Sequence, residues 1–399
     1  MELSGIQYLS DLNFEDRRVF CRVDFNVPLD GVHIRDDARI RAALPTINYL
    51  REAGAKLFLA SHLGRPTGRD PNLSLEPCAK KLAELINADV SLADDCVGDG
   101  VNKIARDLPP GEVAVLENLR FHDAEIKGDV HFCARLAAPF QAYVNDAFGT
   151  CHRRHTSMYG IVKHLPECAA GFLLEKEIDF LQRLLDNPKR PFVALLGGAK
   201  VSDKIDVIRS LCRQADYLLI GGAMALTLLK ARGVQVGNSK TEDSCLPLGK
   251  ELFLLAEKSN TKLLLPVDHI VANSIDSTDS SITTGPEIPE ALAAFDIGPE
   301  TLKIFTETVK KAGTVFWNGP MGVFESPVFQ KGTFSLAESI GHSNAVSVIG
   351  GGDSAAAVKE AGLHEQISHM STGGGASLRF VEGNSLPGLE ALRTGHQFK

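Results

Sequence analysis

The sequence has no long apolar run. No stretch free of Asp, Glu, Lys and Arg exceeds about 14 residues, short of the roughly 18 a membrane-spanning helix needs, so no span is expected. The N-terminus, MELSGIQYLSDLNFEDRR, lacks a basic start followed by an apolar block, and no secretory leader is expected. Eight cysteines lie at 21, 78, 96, 133, 151, 168, 212 and 245, and none form a Cys-x-x-Cys pair. That argues against a zinc or dithiol motif. They are expected to be reduced cytosolic thiols, mostly buried as small hydrophobes. An excess of basic charge is missing too. The 42 Lys and Arg against 50 Asp and Glu give a formal −8, which disfavours nucleic acid or an anionic membrane as partner. Taken alone, that charge also argues against an anionic small substrate. No G-x-x-x-x-G-K-[ST], G-x-G-x-x-G, H-R-D or D-F-G string occurs. P-loop enzymes, standard dinucleotide dehydrogenases and protein kinases are therefore disfavoured.

What is present is ordinary globular material, 44% hydrophobic and 23% charged over 399 residues. At roughly 150 residues per domain, that suggests two to three domains. Short β-rich apolar runs alternate with longer runs of helical period. Residues 17–27 read as a strand running into a turn. Residues 37–53 read as a helix with Ile40, Ala43, Leu44, Ile47 and Leu50 on one face, kinked or broken at Pro45. A strand is expected at 56–61, a helix at 74–87, and strands at 112–121 and 141–148. After residue 190 the rhythm repeats with FVALLGG, DYLLIGG, KLLLPVD, GTVFWNGP and AVSVIGGG. The expected fold is α/β: parallel sheets wrapped by helices through right-handed crossovers. Residues 173–187 read as a charged amphipathic helix ended by Pro188, a connector between two halves. Segment 273–300, rich in Ser, Thr, Pro and Gly, reads as loops.

In such sheets ligands bind where strands end and helices begin. The turns of the two halves differ in kind. First-half turns carry Asp24 and Asn26, then His62 and Arg65, then Arg120, then His152, Arg153, Arg154 and His155, with Arg39 near the start of the first helix. Guanidinium groups suit phosphate and carboxylate oxygens. A single arginine is by default a solvated surface charge, but four arginines and a histidine at strand ends point to an anion pocket. Adjacent residues cannot all face one site, so Arg154 and His155 are set apart. Second-half turns are glycine-rich: GGAKVSDK (197–204), IGGAM (220–224), WNGPMG (317–322), GGGDS (350–354) and STGGGAS (371–377). Glycine lets backbone amides approach phosphate, and helix starts add a favourable partial charge. Each glycine pair alone is a plain tight turn; five in one half favour a nucleotide. Lys200 and Lys204 are placed to reach phosphates, and Asp353 to hold a hard cation such as Mg²⁺.

These strings make the chain resemble the phosphoglycerate kinase family over essentially its whole length. They are RVDFNVP (22–28), SHLGRP (61–66), LENLRFH (116–122), DAFGT-HR (146–153, interrupted by Cys151), GGAKVSDK, LPVD (265–268), WNGPMGVFE (317–325), GGGD (350–353), STGGGASL (371–378) and LPG (386–388). The resemblance implies two doubly wound, Rossmann-like parallel-sheet domains joined by a hinge helix. It places a phosphoglycerate-binding domain at 1–173, a connecting helix at 174–187 and a nucleotide-binding domain at 188–387, with the tail 388–399 packing back on the first. It implies reversible phosphoryl transfer from 1,3-bisphosphoglycerate to ADP, giving 3-phosphoglycerate and ATP in glycolysis. The enzyme would be a cytoplasmic monomer using Mg²⁺ with the nucleotide, and binding neither nucleic acid nor membrane. By motif, substrate binding falls to Asp24, Phe25, Asn26, Arg39, His62, Leu63, Gly64, Arg65, Arg120 and Arg153. Nucleotide binding falls to Gly198, Lys200, Lys204, Asn318, Glu325, Gly351, Gly352, Asp353 and Ser354. Glu325 would take the ribose and Asp353 the metal. Catalysis falls to Arg39, Lys200, Gly374 and Gly375, with Gly373 beside them supplying helix-start amides.

Four positions depart from the family pattern: Cys151, Arg154, Ser354 and Ser326 stand where Ala, a small residue, Thr and an aromatic or apolar residue are usual. None bears a charge the reaction needs. Two other readings stand beside an active phosphoglycerate kinase: an inactive nucleotide-binding protein of the same fold, and a same-fold kinase of another small acid. The charge is distributed unexpectedly. Residues 1–187 carry 28 acidic and 22 basic side chains, and 188–399 carry 22 and 20, so the half expected to hold the acidic substrate is the more negative.

Overall fold

The computed structural model describes residues 3–394, and the chain divides into two compact units. Unit 1 runs to Asp179 and resumes at Asn384; unit 2 is Phe180–Gly383.

In unit 1 the strands are β1 (Arg18–Val23), β2 (Leu29–Asp30), β3 (His33–Ile34), β4 (Lys56–Ala60), β5 (Val90–Leu92), β6 (Val113–Val115), β7 (Ala142–Asp146) and β8 (Glu167–Ala170). Six form one sheet in the order β5-β6-β4-β1-β7-β8, and every pairing is parallel. β2 and β3 form a separate antiparallel ribbon. The helices are α1 (Ala38–Glu52), α2 (Glu76–Ile86), α3 (Asp99–Asp107), α4 (Asp123–Lys127), α5 (Val130–Ala137) and α6 (Phe172–Asp186). All but the first residue of β1 are buried, as expected of a strand covered by helices on both faces. Val19, Cys21 and Val23 pack with Ile40, Ile47 and Leu50 of α1 in one core. That burial carries α1 unbroken through Pro45, which is exposed.

Unit 2 contains β9 (Phe192–Leu196), β10 (Tyr217–Ile220), β11 (Lys262–Leu264), β12 (His269–Ala272), β13 (Ser281–Ile282), β14 (Ala293–Ile297), β15 (Thr314–Asn318), β16 (Val346–Gly350) and β17 (His369–Met370). Its main sheet is parallel, in the order β11-β10-β9-β15-β16-β17. Counted along the chain, those strands run 3-2-1-4-5-6, the order of dinucleotide-binding sheets, whose crevice opens where the order reverses. Here that is between β9 and β15. Helices α7 (Ile205–Leu211), α8 (Gly222–Ala231), α9 (Leu246–Lys258), α10 (Pro299–Lys310), α11 (Lys331–Gly341), α12 (Gly352–Glu360) and α13 (Gly375–Val381) accompany it. Val193, Leu195, Val315, Trp317 and Ile349 anchor its core.

The division between the units falls within α6, which buries Leu174, Ile178, Leu181 and Leu184 at helical spacing. The last helix, α14 (Pro387–Thr394), belongs to unit 1, where the Gly388 amide donates to the Cys151 carbonyl at 2.8 Å. Of the expected tail 388–399, residues 395–399 lie outside the described residues.

Two further sequence expectations change. The strand read over 112–121 is only Val113–Val115, followed by a loop and a 3₁₀ turn at Leu119–Phe121. Segment 273–300 is not all loop: β13 and β14 flank β12 in an antiparallel sheet. No helix among the described residues is long and apolar enough to cross a membrane, and all eight cysteines are buried and unpaired with one another.

Candidate functional site

In unit 1 the charged residues gather at the carboxyl ends of β1, β4, β6 and β7. Asp24 follows β1, and its Oδ2 accepts from Arg39 Nη1 at 3.0 Å. The same Arg39 nitrogen donates to the Asn26 carbonyl at 3.1 Å. Asn26 Oδ1 accepts the Gly64 amide at 2.8 Å, tying the turn after β1 to the turn after β4. Gly64 has φ of +63°, and a β-carbon there would press on Leu73, so the turn requires glycine.

Phe25 and Leu63 are buried core residues. Their backbones hold the site: the Phe25 amide donates to Ser61 Oγ at 2.8 Å, and the Leu63 amide to Asn118 Oδ1 at 3.2 Å. Arg120, in the 3₁₀ turn after β6, donates from Nη1 to the Gly64 carbonyl at 2.6 Å, while its buried Nε has no partner. Arg153 Nε donates to His152 Nε2 at 3.2 Å. Arg65 is exposed and, among the described residues, makes no hydrogen bond or ion pair.

One member is missing from the sequence-based set. Arg22, within β1, is fully buried. It donates from Nε to Ser157 Oγ at 2.9 Å, from Nη1 to the Val23 carbonyl, and from Nη2 to His62 Nδ1 at 3.2 Å. Ser157 Oγ in turn donates to the buried Glu125 carboxylate at 2.6 Å. The only advance signal was a charged residue inside an otherwise apolar strand.

Electrostatically this is a concentrated positive region. Burial, then Arg153, Arg22 and Arg65, pull the Arg120 guanidinium down to about 10. Arg153 is lowered by burial and by Arg65 and Arg22, against the opposing pull of Asp24. Burial and these arginines push His62 well below its usual value and His155 down to about 3, so both are neutral near pH 7. Because Arg22 can only donate, His62 Nδ1 is the acceptor and Nε2 carries the proton. His62 therefore offers one neutral donor among cations.

In unit 2 the crevice between β9 and β15 opens into a cavity of about 530 Å³. Gly198, Glu325 and Asp353 line it, with Gly222, Leu226, Pro320, Met321 and Val323 supplying largely apolar wall. That apolar wall was not legible in the motifs. Backbone bonds knit its floor: Gly198 N–H to the Pro320 carbonyl at 3.0 Å, and Gly222 N–H to the Met321 carbonyl at 2.9 Å.

Lys204 does not line the cavity but sits beneath it, donating to the Gly197 carbonyl at 2.6 Å and the Asn318 carbonyl at 3.0 Å. Burial lowers its ammonium to about 8, although Asp353 and Asp203 oppose this. Ser354 Oγ accepts the Gly319 amide at 2.6 Å, and Asn318 Nδ2 is buried without a partner. Gly351, at φ +91°, and Gly352 open α12, which presents Asp353 in its first turn. Lys200 is exposed and, among the described residues, makes no hydrogen bond or ion pair. Gly374 and Gly375 begin α13 and lie outside the cavity wall.

Phosphate-like anions fit both places, the first by charge and the second by glycine turns beside an apolar slot. Comparisons with known proteins show the family. The model of the family "Phosphoglycerate kinase" matches residues 9–384. The phosphoglycerate kinase of Anaeromyxobacter sp. (strain Fw109-5) is 52% identical over 393 residues, covering 97% of this chain and 99% of that protein. That of Koribacter versatilis (strain Ellin345) is 49% identical over 395 residues, covering 96% and 98%. Among solved structures, phosphoglycerate kinase from Coxiella burnetii superposes with a TM-score of 0.89 at 37% identity, covering 97% and 98%. That from Pyrococcus horikoshii OT3 gives 0.86 at 35%, covering 99% and 100%. The chain belongs to the phosphoglycerate kinase family, phosphotransferases with a carboxyl group as acceptor.

Proposed function

We propose that this chain moves a phosphoryl group reversibly from 1,3-bisphosphoglycerate to ADP, giving 3-phosphoglycerate and ATP, in the glycolysis of the cytoplasm and as a monomer. Unit 1 takes the phosphoglycerate and unit 2 the nucleotide. The observation that carries this reading is the arginine cluster. Burial, with the nearby charges of Arg153, Arg22 and Arg65, lowers Arg120 to about 10. A ligand bearing a phosphate and a carboxylate relieves that repulsion with charge-assisted hydrogen bonds.

In the ATP-consuming direction the acceptor is a carboxylate, already ionised near pH 7. No general base is needed, and both histidines beside the cluster are neutral donors rather than acids. The chemistry is then positioning and charge stabilisation over the transferring phosphoryl oxygens. Arg39 and Lys200 are proposed to flank that group, with the amides at Gly373, Gly374 and Gly375 aimed at it. With one substrate on each unit, transfer needs a closing motion, and α6 is the proposed hinge; closure excludes water from the acyl phosphate.

Glu325 is proposed to take the ribose hydroxyls. Asp353 offers one carboxylate at the cavity wall, which suits Mg²⁺, an ion usually held by one or two carboxylates plus substrate phosphates. When bound, Mg²⁺ supplies charge neutralisation at the nucleotide phosphates. Buried, unpaired thiols suit a reducing compartment.

A coupled assay with ATP and 3-phosphoglycerate tests the activity directly. Arg39→Ala and Lys200→Ala should each lower kcat by on the order of 10³-fold, as loss of a transition-state cation does in related chemistry. A near-normal kcat in either removes that residue from the role.

A further inference from the structure

We propose that Asp95, Cys96 and His122 form a binding site for a divalent cation of the zinc class, in unit 1 and apart from the residues assigned to either substrate. Asp95 and Cys96 lie in the loop after β5, and His122 ends the 3₁₀ turn after β6 and caps α4. One ligand atom from each lies within 4.8 Å of the other two. His122 Nε2 stands 2.6 Å from Asp95 Oδ1, which also accepts the Cys96 amide at 2.6 Å. The imidazole rests against the Phe132 ring at 5.0 Å between centroids, which limits its rotation.

Sulfur, nitrogen and oxygen donors in one trio suit a borderline-soft ion and not Mg²⁺. Three protein ligands leave the fourth tetrahedral position open. Donors on one tetrahedral zinc lie about 3.3–3.6 Å apart, given bond lengths near 2.0–2.3 Å. The close histidine–aspartate pair therefore opens slightly and the thiol draws in, which side-chain rotation supplies. An entry path exists as well. The Asp95 and His122 side chains are 35% and 30% exposed, while Cys96 is 1% exposed and forms the floor. On binding, the thiol releases its proton to solvent and coordinates as thiolate. Without metal, His122 Nε2 and Asp95 Oδ1 hydrogen-bond to each other. An ion here ties the loop after β5 to the turn that carries Arg120.

The test titrates Co²⁺ into the full-length, nucleotide-free protein stripped of metal. One equivalent should raise a thiolate-to-cobalt charge-transfer absorption in the near ultraviolet, and Zn²⁺ should displace it. Cys96→Ser should abolish the band. Since Cys96 is buried, two partly exposed positions provide the second arm: His122→Gln and Asp95→Asn should each weaken Co²⁺ binding at least tenfold with the band retained at saturation. Co²⁺ held by Asp353 gives no such band, for no thiol lies in that cavity wall. The proposal is overturned by absence of the band, by its persistence in Cys96→Ser, or by unchanged affinity in both His122→Gln and Asp95→Asn.

Discussion

Asp146 ends β7 with both carboxylate oxygens buried. Oδ1 accepts the Leu173 and Leu174 amides at 2.9 and 3.2 Å, capping α6. Burial raises this carboxyl from 3.8 to about 7, with the hydrogen bonds from Thr46 and the two amides opposing. The folded chain thus holds a proton that the unfolded chain gives up near pH 4. Its stabilising contribution is full below 3.8 and is lost as pH rises through about 7. Three pKa units correspond to about 4 kcal/mol as an upper bound. Asp296, also raised to about 7 by burial, acts in the same sense. Asp146→Asn keeps an acceptor for the two amides and removes the titration. Buried neutral histidines such as His155 act in the opposite sense in both proteins, so the informative quantity is the difference between them: urea unfolding at intervals from pH 4 to 8 should show the wild-type stability relative to the variant falling as pH rises to about 7; a difference constant with pH would mean that Asp146 is ionised throughout. Neither raised carboxyl was legible in the sequence, because depth of burial is a property of the packed sheet. Arg22 was hidden for the same reason. Its neighbours Asp24 and Asn26 announce themselves by sitting in a turn, whereas Arg22 reaches the cluster from within a strand.

At the scale of the element, α1 shows tertiary packing overriding local propensity. Pro45 lacks the amide that would bond the Arg41 carbonyl, and its ring crowds that carbonyl, so a break was the natural expectation. The helix nonetheless runs from Ala38 to Glu52, because Ile40, Ala43, Ile47 and Leu50 are buried on one side of it. A helix-interior proline held in place by packing should be improvable. Pro45→Ala is expected to stabilise the chain by about 1–2 kcal/mol, less than the full ~3 kcal/mol propensity difference because the unfolded chain also gains freedom. A thermal melt that moved downward would show instead that the proline is accommodated without cost. Long periodic segments such as α1, α2 and α6 were readable to within one or two residues. So were the apolar strands β4, β9, β10, β15 and β16. The short strands were not. β5 and β17 sit at sheet edges with three and two residues, too few for alternation to register. β13 has only two residues, both exposed, and β14 breaks its apolar run with the buried Asp296. The run 112–121 is apolar enough for a strand, but only its first part finds a neighbour to pair with; the rest turns to present Arg120.

At the scale of the whole molecule, net charge and local charge part company. The half carrying the arginine cluster has 28 acidic and 22 basic residues, yet burial together with Arg22, Arg120 and Arg153 keeps two nearby histidines neutral. Exposed carboxylates are screened over about 8 Å at physiological salt, whereas partly buried guanidinium groups are screened much less. A bulk count therefore speaks to solubility and not to the ligand of one crevice. The assignment of one substrate to each unit follows from this local reading, and ligand-linked protection tests it. A ligand at a hundred times its Kd stabilises the unit that binds it by about 2.7 kcal/mol, which slows exchange through opening of that unit about a hundredfold. With 3-phosphoglycerate alone, amides of β1, β4 and β7 should slow by that factor while those of β9, β15 and β16 hold their rates. With Mg²⁺-ADP alone the pattern should invert. Protection of the nucleotide strands by 3-phosphoglycerate, with β1 unaffected, would reverse the assignment. The histidines sharpen the same measurement. A site built on permanently charged guanidinium groups and neutral imidazoles gains no charge between pH 6 and 8, so the 3-phosphoglycerate effect on β1 should hold or grow over that range, as the ligand's own phosphate loses its second proton near pH 6. A protection that faded as pH rose through 6.5 would mean that a protonated His62 or His155 holds the anion, and that the arginines do less than their geometry suggests.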